Sequence, residues 1–263
     1  LGQCSMTVAL PIISACGHET CILPSAVLST HTGGFTGYTV NDLSDDFPAV
    51  KNHWLKEGIS FDAIYTGYLG STKQIEYVSD IFDQLKREDG RIIVDPAMAD
   101  NGKLYWGFDE EYVKGMAYLC SKADIILPNI TEACFLTGVE YKESYDKAYV
   151  DILVNKLREI CSGCIIITGV SYDDNEIHVV ISDNGSETFY THKKIVKSFH
   201  GTGDIFSSAF VGAYMHDKSK YEAIKIASDY TVKCIENTVD DDSHWYGTKF
   251  ETAIKDLVAM LKL

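Results

Sequence analysis

The sequence predicts an α/β fold in which a mostly parallel sheet is covered by helices and carries an antiparallel hairpin at one edge. Short apolar runs alternate with amphipathic stretches of helical length, an alternation typical of parallel strands joined by crossover helices. Asp-Asn-Gly at 183–185 separates two alternating segments, which is a strong signal for a tight hairpin. With 263 residues, 46% of them hydrophobic, the chain can bury a large core, so we expect a single domain over residues 1–263.

The first half of the chain supplies the opening elements. In order, they are a helix over 6–15, extended segments at 21–24 and 26–28, a polar glycine-rich loop over 29–35, a helix over 42–56, a strand over 61–65 and a turn over 66–70. The helices follow from apolar residues at helical spacing, and the strand from a short buried run. Because an α/β domain ordinarily opens with a strand, we expect the first strand to precede Leu1.

The second half repeats the same unit of strand, polar turn and helix. The predicted elements are helices over 71–88, 109–120, from 130 onward and over 145–160, strands over 91–94, 124–127 and 164–167, hairpin strands over 176–182 and 187–194, and helices over 221–236 and 248–261. In parallel sheets of this kind, ligands bind at the carboxyl ends of the strands. The polar turns that follow the strands are therefore the places to search for a site.

Composition narrows the classes of function. A formal net charge of −15 without any basic stretch argues against a nucleic-acid surface, because phosphate backbones are held by clustered Lys and Arg. No apolar run approaches the ~20 residues that a membrane helix needs, and no charged-then-apolar leader is present; we expect a cytoplasmic protein without membrane partners. The eight cysteines should be free thiols, including the C-x-x-C pair Cys161 and Cys164.

The strongest chemical signal is His-Gly-Thr-Gly-Asp at 200–204, followed at once by an apolar helical pattern. A glycine-rich helix N-terminus offers unpaired N–H groups and the positive end of the helix dipole to an anion such as phosphate. A carboxylate repels that anion unless it has chemical work, such as taking a proton from an attacking hydroxyl. Asp204 is therefore either a general base or a helix cap, and the motif alone leaves both interpretations open.

Four motifs in order resemble those of the ribokinase superfamily: Gly-Thr-Gly-Asp at 201–204, Asp-Pro at 95–96, Asn-Ile-Thr-Glu at 129–132 and Ile-Thr-Gly at 167–169. Within it, the segments at 28–33, 66–68 and 95–102 are similar to the pyridoxal kinases. The resemblance implies a ribokinase-like three-layer α/β/α sandwich. One departure is Leu127, which stands where relatives often have Thr before Pro-Asn.

The resemblance also implies roles for individual residues. Asp204 would be the general base, and the N–H groups of residues 201–203 would stabilise charge on the transferred phosphoryl group. The implied catalytic group is Gly201, Thr202, Gly203 and Asp204; the substrate-binding group is His31, Thr32, Tyr68 and Asp204; the ATP-binding group is Asp95, Asp100, Tyr105, Asn129, Glu132, Thr168, Gly201 and Gly203; and the metal group is Asp95, Asn129 and Glu132. Mg²⁺ would be held largely through water.

Several of these residues have a plainer explanation. Glu132 could serve only the helix dipole from the first turn, and His31 could be solvated or structural. Asp95 and Asp100 could be turn formers, and Tyr105 could be a packing residue. The sequence leaves these alternatives open.

The activity implied by the resemblance is ATP- and Mg²⁺-dependent phosphorylation of the 5′-hydroxyl of pyridoxal, pyridoxine or pyridoxamine, with the preferred vitamer and a need for K⁺ left open. A kinase for another primary alcohol, above all hydroxymethylpyrimidine, is the alternative, because both activities share the catalytic machinery. A vitamin B6 binding protein without turnover is a further alternative, although a mere binder gains nothing from Asp204. Relatives of this kind are commonly homodimers, so a homodimer is expected.

Overall fold

The computed structural model describes residues 1–195, 197 and 199–262. Contacts within the chain divide it into two compact units, one made of Leu1–Leu43 and His192–Leu263 and the other of Ser44–Thr191. Within the described part of the chain, no helix combines the length and apolar character needed to span a bilayer.

The second unit is built on a sheet of six strands. The strands are β3 (Phe61–Thr66), β4 (Lys86–Val94), β7 (Ile125–Ile126), β8 (Cys164–Val170), β9 (Glu176–Asp183) and β10 (Ser186–Lys193), and their order across the sheet is β10-β9-β8-β7-β4-β3. The pairs β3–β4, β4–β7 and β7–β8 are parallel, whereas β9 runs antiparallel to β8. Asn184 and Gly185, both with positive φ, form the tight turn between β9 and β10. The predicted class, a mostly parallel sheet with an antiparallel edge hairpin, is confirmed.

Five helices of this unit connect the strands. They are α2 (Phe47–Lys56), α3 (Thr72–Leu85), α4 (Glu110–Ser121), α5 (Ile130–Thr137) and α6 (Lys147–Ile160). A short hairpin, β5 (Ala99–Asp100) with β6 (Lys103–Leu104), follows β4. Its turn residues Asn101 and Gly102 both have positive φ, a conformation that favours these two residue types. The carboxyl ends of β3, β4, β7 and β8 therefore lead into turns that carry the predicted site residues.

The first unit packs helices around α7. Its helices are α1 (Met6–Ala15), α7 (Thr202–Met215), α8 (Lys220–Glu236) and α9 (Ile254–Leu261), and β1 (Ala26–Leu28) pairs antiparallel with β2 (Val40–Asp42). Helix α7 contacts both α1 and α8. It buries almost every residue from Ile205 to Ala213, as expected for a helix that is apolar on all sides.

Four predicted boundaries were wrong. The helix predicted from residue 42 begins at Phe47, because Val40–Asp42 pairs with β1 and Pro48 favours a helix start. The helix predicted to residue 88 ends at Leu85, since Lys86 pairs with Phe61 in the sheet. Strand β8 continues through Thr168 to Val170 by way of an irregularity in register. The helix predicted from residue 248 begins as a 3₁₀ turn over Phe250–Ala253.

Candidate active site

The N-terminus of α7 has the geometry of an anion site. Gly201 is the N-cap residue with φ +79°, and no side chain caps this helix end. A Cβ on Gly201 would lie 1.8 Å from the carbonyl oxygen of Gln3, whereas a Cβ on Gly203 would meet nothing within 4 Å. Gly201 is therefore required by the fold, and Gly203 is not. Because no side chain of the described residues caps this end, the N–H groups of the first turn are available to a ligand.

Asp204 lies half-buried in that first turn. Burial raises the pKa of its carboxyl group, and a hydrogen bond from the backbone N–H of Ser5 opposes the rise. Burial and, second, the nearby charge of Asp204 raise the pKa of the Cys4 thiol to about 12. A carboxylate whose pKa lies nearer neutrality is a stronger base, so the environment of Asp204 suits the removal of a proton.

The loop over residues 29–35 belongs to the same unit. His31 Nε2 lies 2.7 Å from the carbonyl oxygen of Tyr246, and His31 Nδ1 accepts a hydrogen bond from the backbone N–H of Gly33 at 3.1 Å. Both ring nitrogens are thus engaged within the protein, with the hydrogen on Nε2. Thr32 is exposed. In this arrangement His31 shapes the loop, and the side chain of Thr32 is accessible.

The His31 loop and the α7 N-terminus are joined by His200. A Cβ on Gly33 would lie 2.7 Å from the His200 ring, and the rings of His31 and His200 are 5.2 Å apart. His200 directly precedes Gly201 in the chain. The loop that carries Thr32 is therefore packed against the residue that leads into the anion site.

In the second unit, the N-terminus of α5 is closed by its own side chains. The Asn129 side chain accepts a hydrogen bond from the Glu132 backbone N–H at 2.9 Å, and Glu132 Oε2 accepts one from the Asn129 N–H at 2.8 Å. This reciprocal pair is a capping box. Asn129 Nδ2 also donates to the carbonyl oxygen of Ala99. Both side chains thus fix the turn after β4, and Asp95 lies in that turn.

Two buried carboxyl groups lie near each other at that turn. Glu132 is 2% exposed and Asp95 is 8% exposed. Burial and, second, the charge of Asp95 raise the pKa of Glu132 to about 8, although the backbone N–H groups of Asn129, Met98 and Ala99 oppose the rise. A cation stabilises a buried carboxylate that lies beside a second one, and an all-oxygen donor set matches Mg²⁺. These residues fit a magnesium ion that completes its shell with water, since no cluster of three metal-ligating side chains occurs among the described residues.

The remaining residues predicted to contact ATP occupy different environments. Asp100 is exposed. Its carboxylate accepts hydrogen bonds from the backbone and side chain of Asn101, as the carboxylate of a turn-forming residue does. Thr168 is half-buried and forms a β-bridge with Asn129. Tyr105 is 40% exposed and donates its backbone N–H to Met98.

Tyr68 is the outer ring of an aromatic stack in the second unit. Its ring centroid lies 5.5 Å from that of Phe108, and Phe108 lies 3.7 Å from Tyr112 in a nearly parallel arrangement. Tyr112 is buried, and its hydroxyl donates to the carbonyl oxygen of Leu69 at 2.7 Å. Tyr68 itself is 42% exposed. The stack therefore anchors one flat ring at the carboxyl end of β3, where it is accessible to another flat ring.

Sequence reasoning missed the residues that support these groups. In the first unit they are Gln3, Cys4 and Ser5; in the second they are Phe108 and Tyr112. No motif marks them, because their importance arises from packing against residues distant in sequence. All eight cysteines are free thiols, as expected, and both Cys161 and Cys164 are buried.

Comparison with known proteins identifies relatives over most of the chain. The phosphomethylpyrimidine kinase family model matches residues 10–248. The pyridoxal kinase of Dictyostelium discoideum is 28% identical over 205 residues, which are 70% of this chain and 66% of that protein. The hydroxymethylpyrimidine/phosphomethylpyrimidine kinase of Bacillus subtilis is 29% identical over 219 residues, 82% of this chain and 78% of that protein. The matched region thus spans just under two thirds of the Dictyostelium protein.

Solved structures agree with the fold. A phosphomethylpyrimidine kinase homologue from Bacteroides thetaiotaomicron, crystallised with pyridoxal, is 34% identical with a TM-score of 0.92, covering 98% of this chain and 91% of that one. The pyridoxal kinase of Lactobacillus plantarum is 28% identical, also with a TM-score of 0.92, covering 99% and 93%. The resemblance inferred from the sequence motifs is confirmed by these structures.

Proposed function

The chain belongs to the phosphomethylpyrimidine kinase family, and on that premise we propose that it transfers the γ-phosphoryl group of ATP to the 5′-hydroxyl of pyridoxal, pyridoxine or pyridoxamine. The observation that carries the proposal is the half-buried Asp204 carboxyl group in the first turn of a helix whose N-terminus no side chain caps. That combination supports the assignment of a base beside an anion site.

In the proposed reaction, Asp204 takes the proton of the 5′-hydroxyl group. The hydroxyl oxygen forms a new bond to the γ-phosphorus, the bond from that phosphorus to the bridging oxygen breaks, and ADP leaves with the bonding electrons. The N–H groups of Thr202 and Gly203 donate to the oxygens of the transferred group, where charge is greatest. The raised pKa of Asp204 keeps it an effective base near neutral pH.

Residues of the second unit are proposed to serve ATP and its metal ion. Asp95 and Glu132, supported by Asn129, would hold Mg²⁺ through water. The ion would neutralise negative charge on the phosphates. Thr168, Tyr105 and Asp100 are proposed to contact the nucleotide, although the Asp100 carboxylate already serves a turn.

The vitamer is proposed to bind through Tyr68 and Thr32, with its pyridine ring stacked on Tyr68. Pyridoxal in the crystals of the Bacteroides homologue supports this substrate class. The family model and the Bacillus relative favour hydroxymethylpyrimidine as a second candidate substrate. Competition between the two alcohols at limiting concentrations, scored by the phosphorylated product, separates the candidates.

Replacing Asp204 by Asn tests the assigned base. We expect kcat for ADP release with pyridoxal to fall by about 1,000-fold, within the range for loss of a general base, with the melting temperature and pyridoxal binding retained. Asp256→Asn, which makes the same change in the first turn of α9, is the matched control and should retain wild-type turnover. Undiminished turnover in Asp204→Asn would refute the assignment. Wild-type protein that binds pyridoxal and ATP without turnover, with and without K⁺, would instead indicate a binding protein.

A further inference from the structure

Gln3 lies directly against the anion site of α7, held between two glycines. Its carbonyl oxygen occupies the space that a Cβ on Gly201 would need, at 1.8 Å, and its Cβ lies 2.8 Å from where a Cβ on Gly247 would be. A larger residue at either glycine would displace Gln3. The backbone of Gln3 thus forms one wall of the turn that begins α7.

The side chain of Gln3 is fixed at both polar atoms. Nε2 donates to both carboxylate oxygens of Glu251, at 2.9 and 3.0 Å, and Oε1 accepts from Nε2 of His244 at 2.7 Å. Because the carboxylate only accepts and Oε1 only accepts, the amide has one orientation that satisfies every partner. We call Gln3, His244 and Glu251 the Gln3 clamp.

The segment that carries Gln3 also reaches the proposed base. Thr7 Oγ1 donates to the carbonyl oxygens of Gly2 and Cys4, on either side of Gln3. Ser5, two residues after Gln3, donates its backbone N–H to Asp204. Any displacement of Gln3 therefore moves both the turn at Gly201 and the donor that contacts the Asp204 carboxylate.

We propose that Gln3 is a positioning residue for phosphoryl transfer. Held by His244 and Glu251 in the Gln3 clamp, it fixes the position of the α7 N-terminus relative to Asp204. The inference rests on the proposed role of Asp204. Gln3 acts through its neighbours rather than on the reacting atoms, so its loss should lower kcat without changing substrate binding. Small misplacements of catalytic groups lower rates strongly, whereas KM depends on contacts made elsewhere.

An exchange of the two side chains tests the clamp. Gln3→Glu places a carboxylate against Glu251 and removes the donor, so we expect kcat to fall about 10-fold with KM for ATP and pyridoxal within about 2-fold of wild type. Adding Glu251→Gln should restore kcat to within about 2-fold, because the new amide at 251 donates to the new carboxylate at 3 and His244 donates as before. A fall without rescue, or no fall at all, would overturn the proposal.

A second variant avoids any change in the segment itself. Glu251 is exposed, so Glu251→Ala releases the clamp in a protein that folds; we expect kcat to fall about 3-fold at unchanged KM. Glu236→Ala, at another exposed glutamate of the same unit, is the matched control. If kcat of Glu251→Ala equals that of the control, the clamp has no positioning role. Retained turnover in Asp204→Asn would defeat the proposed function itself, whatever the clamp variants show.

Discussion

The N-termini of α7 and α5 look alike in sequence and differ in what they do with their backbone amides. Gly-Thr-Gly-Asp at 201–204 and Asn-Ile-Thr-Glu at 129–132 both begin a helix with an acidic residue in the first turn. At α5 the side chains of Asn129 and Glu132 close a capping box. At α7 the N-cap is a glycine with positive φ, and no side chain of the described residues caps the first turn.

On the proposed function, this difference separates a helix end that supports structure from one that serves a ligand. A capped end satisfies its own N–H groups and gains stability, whereas an uncapped end forgoes that gain and keeps its donors for an anion. The acidic residues differ in the same way: Glu132 accepts hydrogen bonds from three backbone N–H groups, and Asp204 accepts one. Glu132 thus holds the turn beside Asp95, whereas Asp204 accepts fewer hydrogen bonds within the chain, in keeping with its proposed role as a base.

Of the variants that compare the two helix ends, Gly203→Ala gives the largest expected effect and tests whether the uncapped end serves a ligand. Apart from its chain neighbours and its own helix backbone, a Cβ there meets no atom of the described residues within 4 Å, and Ala is favoured over Gly inside a helix by about 0.5–1 kcal/mol. We expect the free energy of unfolding to stay the same or rise, while kcat/KM falls about 100-fold because the methyl group blocks the phosphate from the amides.

Chemical denaturation and steady-state kinetics on one preparation measure both quantities. Gly138→Ala at the C-cap of α5, where φ is +69° and no atom lies within 4 Å of the added Cβ, is a contrasting control that should lose stability and keep its turnover. Full activity in Gly203→Ala would show that no phosphate approaches this part of the helix.

The two helix ends also differ in how far sequence alone could identify them. The helix over 6–15 and the turn at Asn184 were predicted correctly because local periodicity and turn chemistry decide them. The strand pairing at Val40 and Lys86 was missed because partners distant in sequence override local helical pattern. Likewise, the motif at 201–204 predicts an anion site from local sequence, but the clamp at Gln3 depends on Gly247 and Glu251, which no motif links to it.

The sequence left two roles open for each of several side chains, and the contacts within the chain bear on some of these roles more than on others. Asp100 bonds within its own turn, and His31 has both ring nitrogens engaged, so the plainer explanations describe what these groups do within the chain. Glu132 combines a capping role with a buried carboxyl group next to Asp95. Capping and metal binding are therefore compatible at Glu132, which the sequence had presented as alternatives.

The capped end should make the stability of the protein depend on pH through Glu132. Glu132 has a pKa raised to about 8 in the folded protein from 4.5, so the folded state holds its proton more tightly than the unfolded state. The stability this contributes is complete below about pH 4.5 and is lost as the pH rises through about 8. Since one pKa unit corresponds to about 1.4 kcal/mol, we expect at least about 2 kcal/mol less stability at pH 9 than at pH 5 from this group.

Glu132→Gln tests the assignment, because the amide keeps an acceptor oxygen and cannot ionise. Urea denaturation between pH 5 and pH 9 should show a shallower loss of stability in this variant than in the wild type. Mg²⁺ should offset part of the wild-type loss at pH 9 and have little effect on the variant. Parallel pH profiles of the two proteins without metal would mean that Glu132 is not the titrating group.

A third helix end, at α4, gives the smallest effect expected in this comparison. It is capped, and its only role is to hold other residues in place. Asp109 accepts a hydrogen bond from the Tyr112 N–H at 3.0 Å, and Tyr112 supports Phe108, on which Tyr68 stacks. Phe108→Leu keeps an apolar side chain but removes the stacked ring, so we expect KM for pyridoxal to rise about 5-fold, equivalent to about 1 kcal/mol, with KM for ATP unchanged. Phe108→Tyr keeps the ring and should retain the wild-type KM. An equal rise in both variants would show that ring stacking does not set the position of Tyr68.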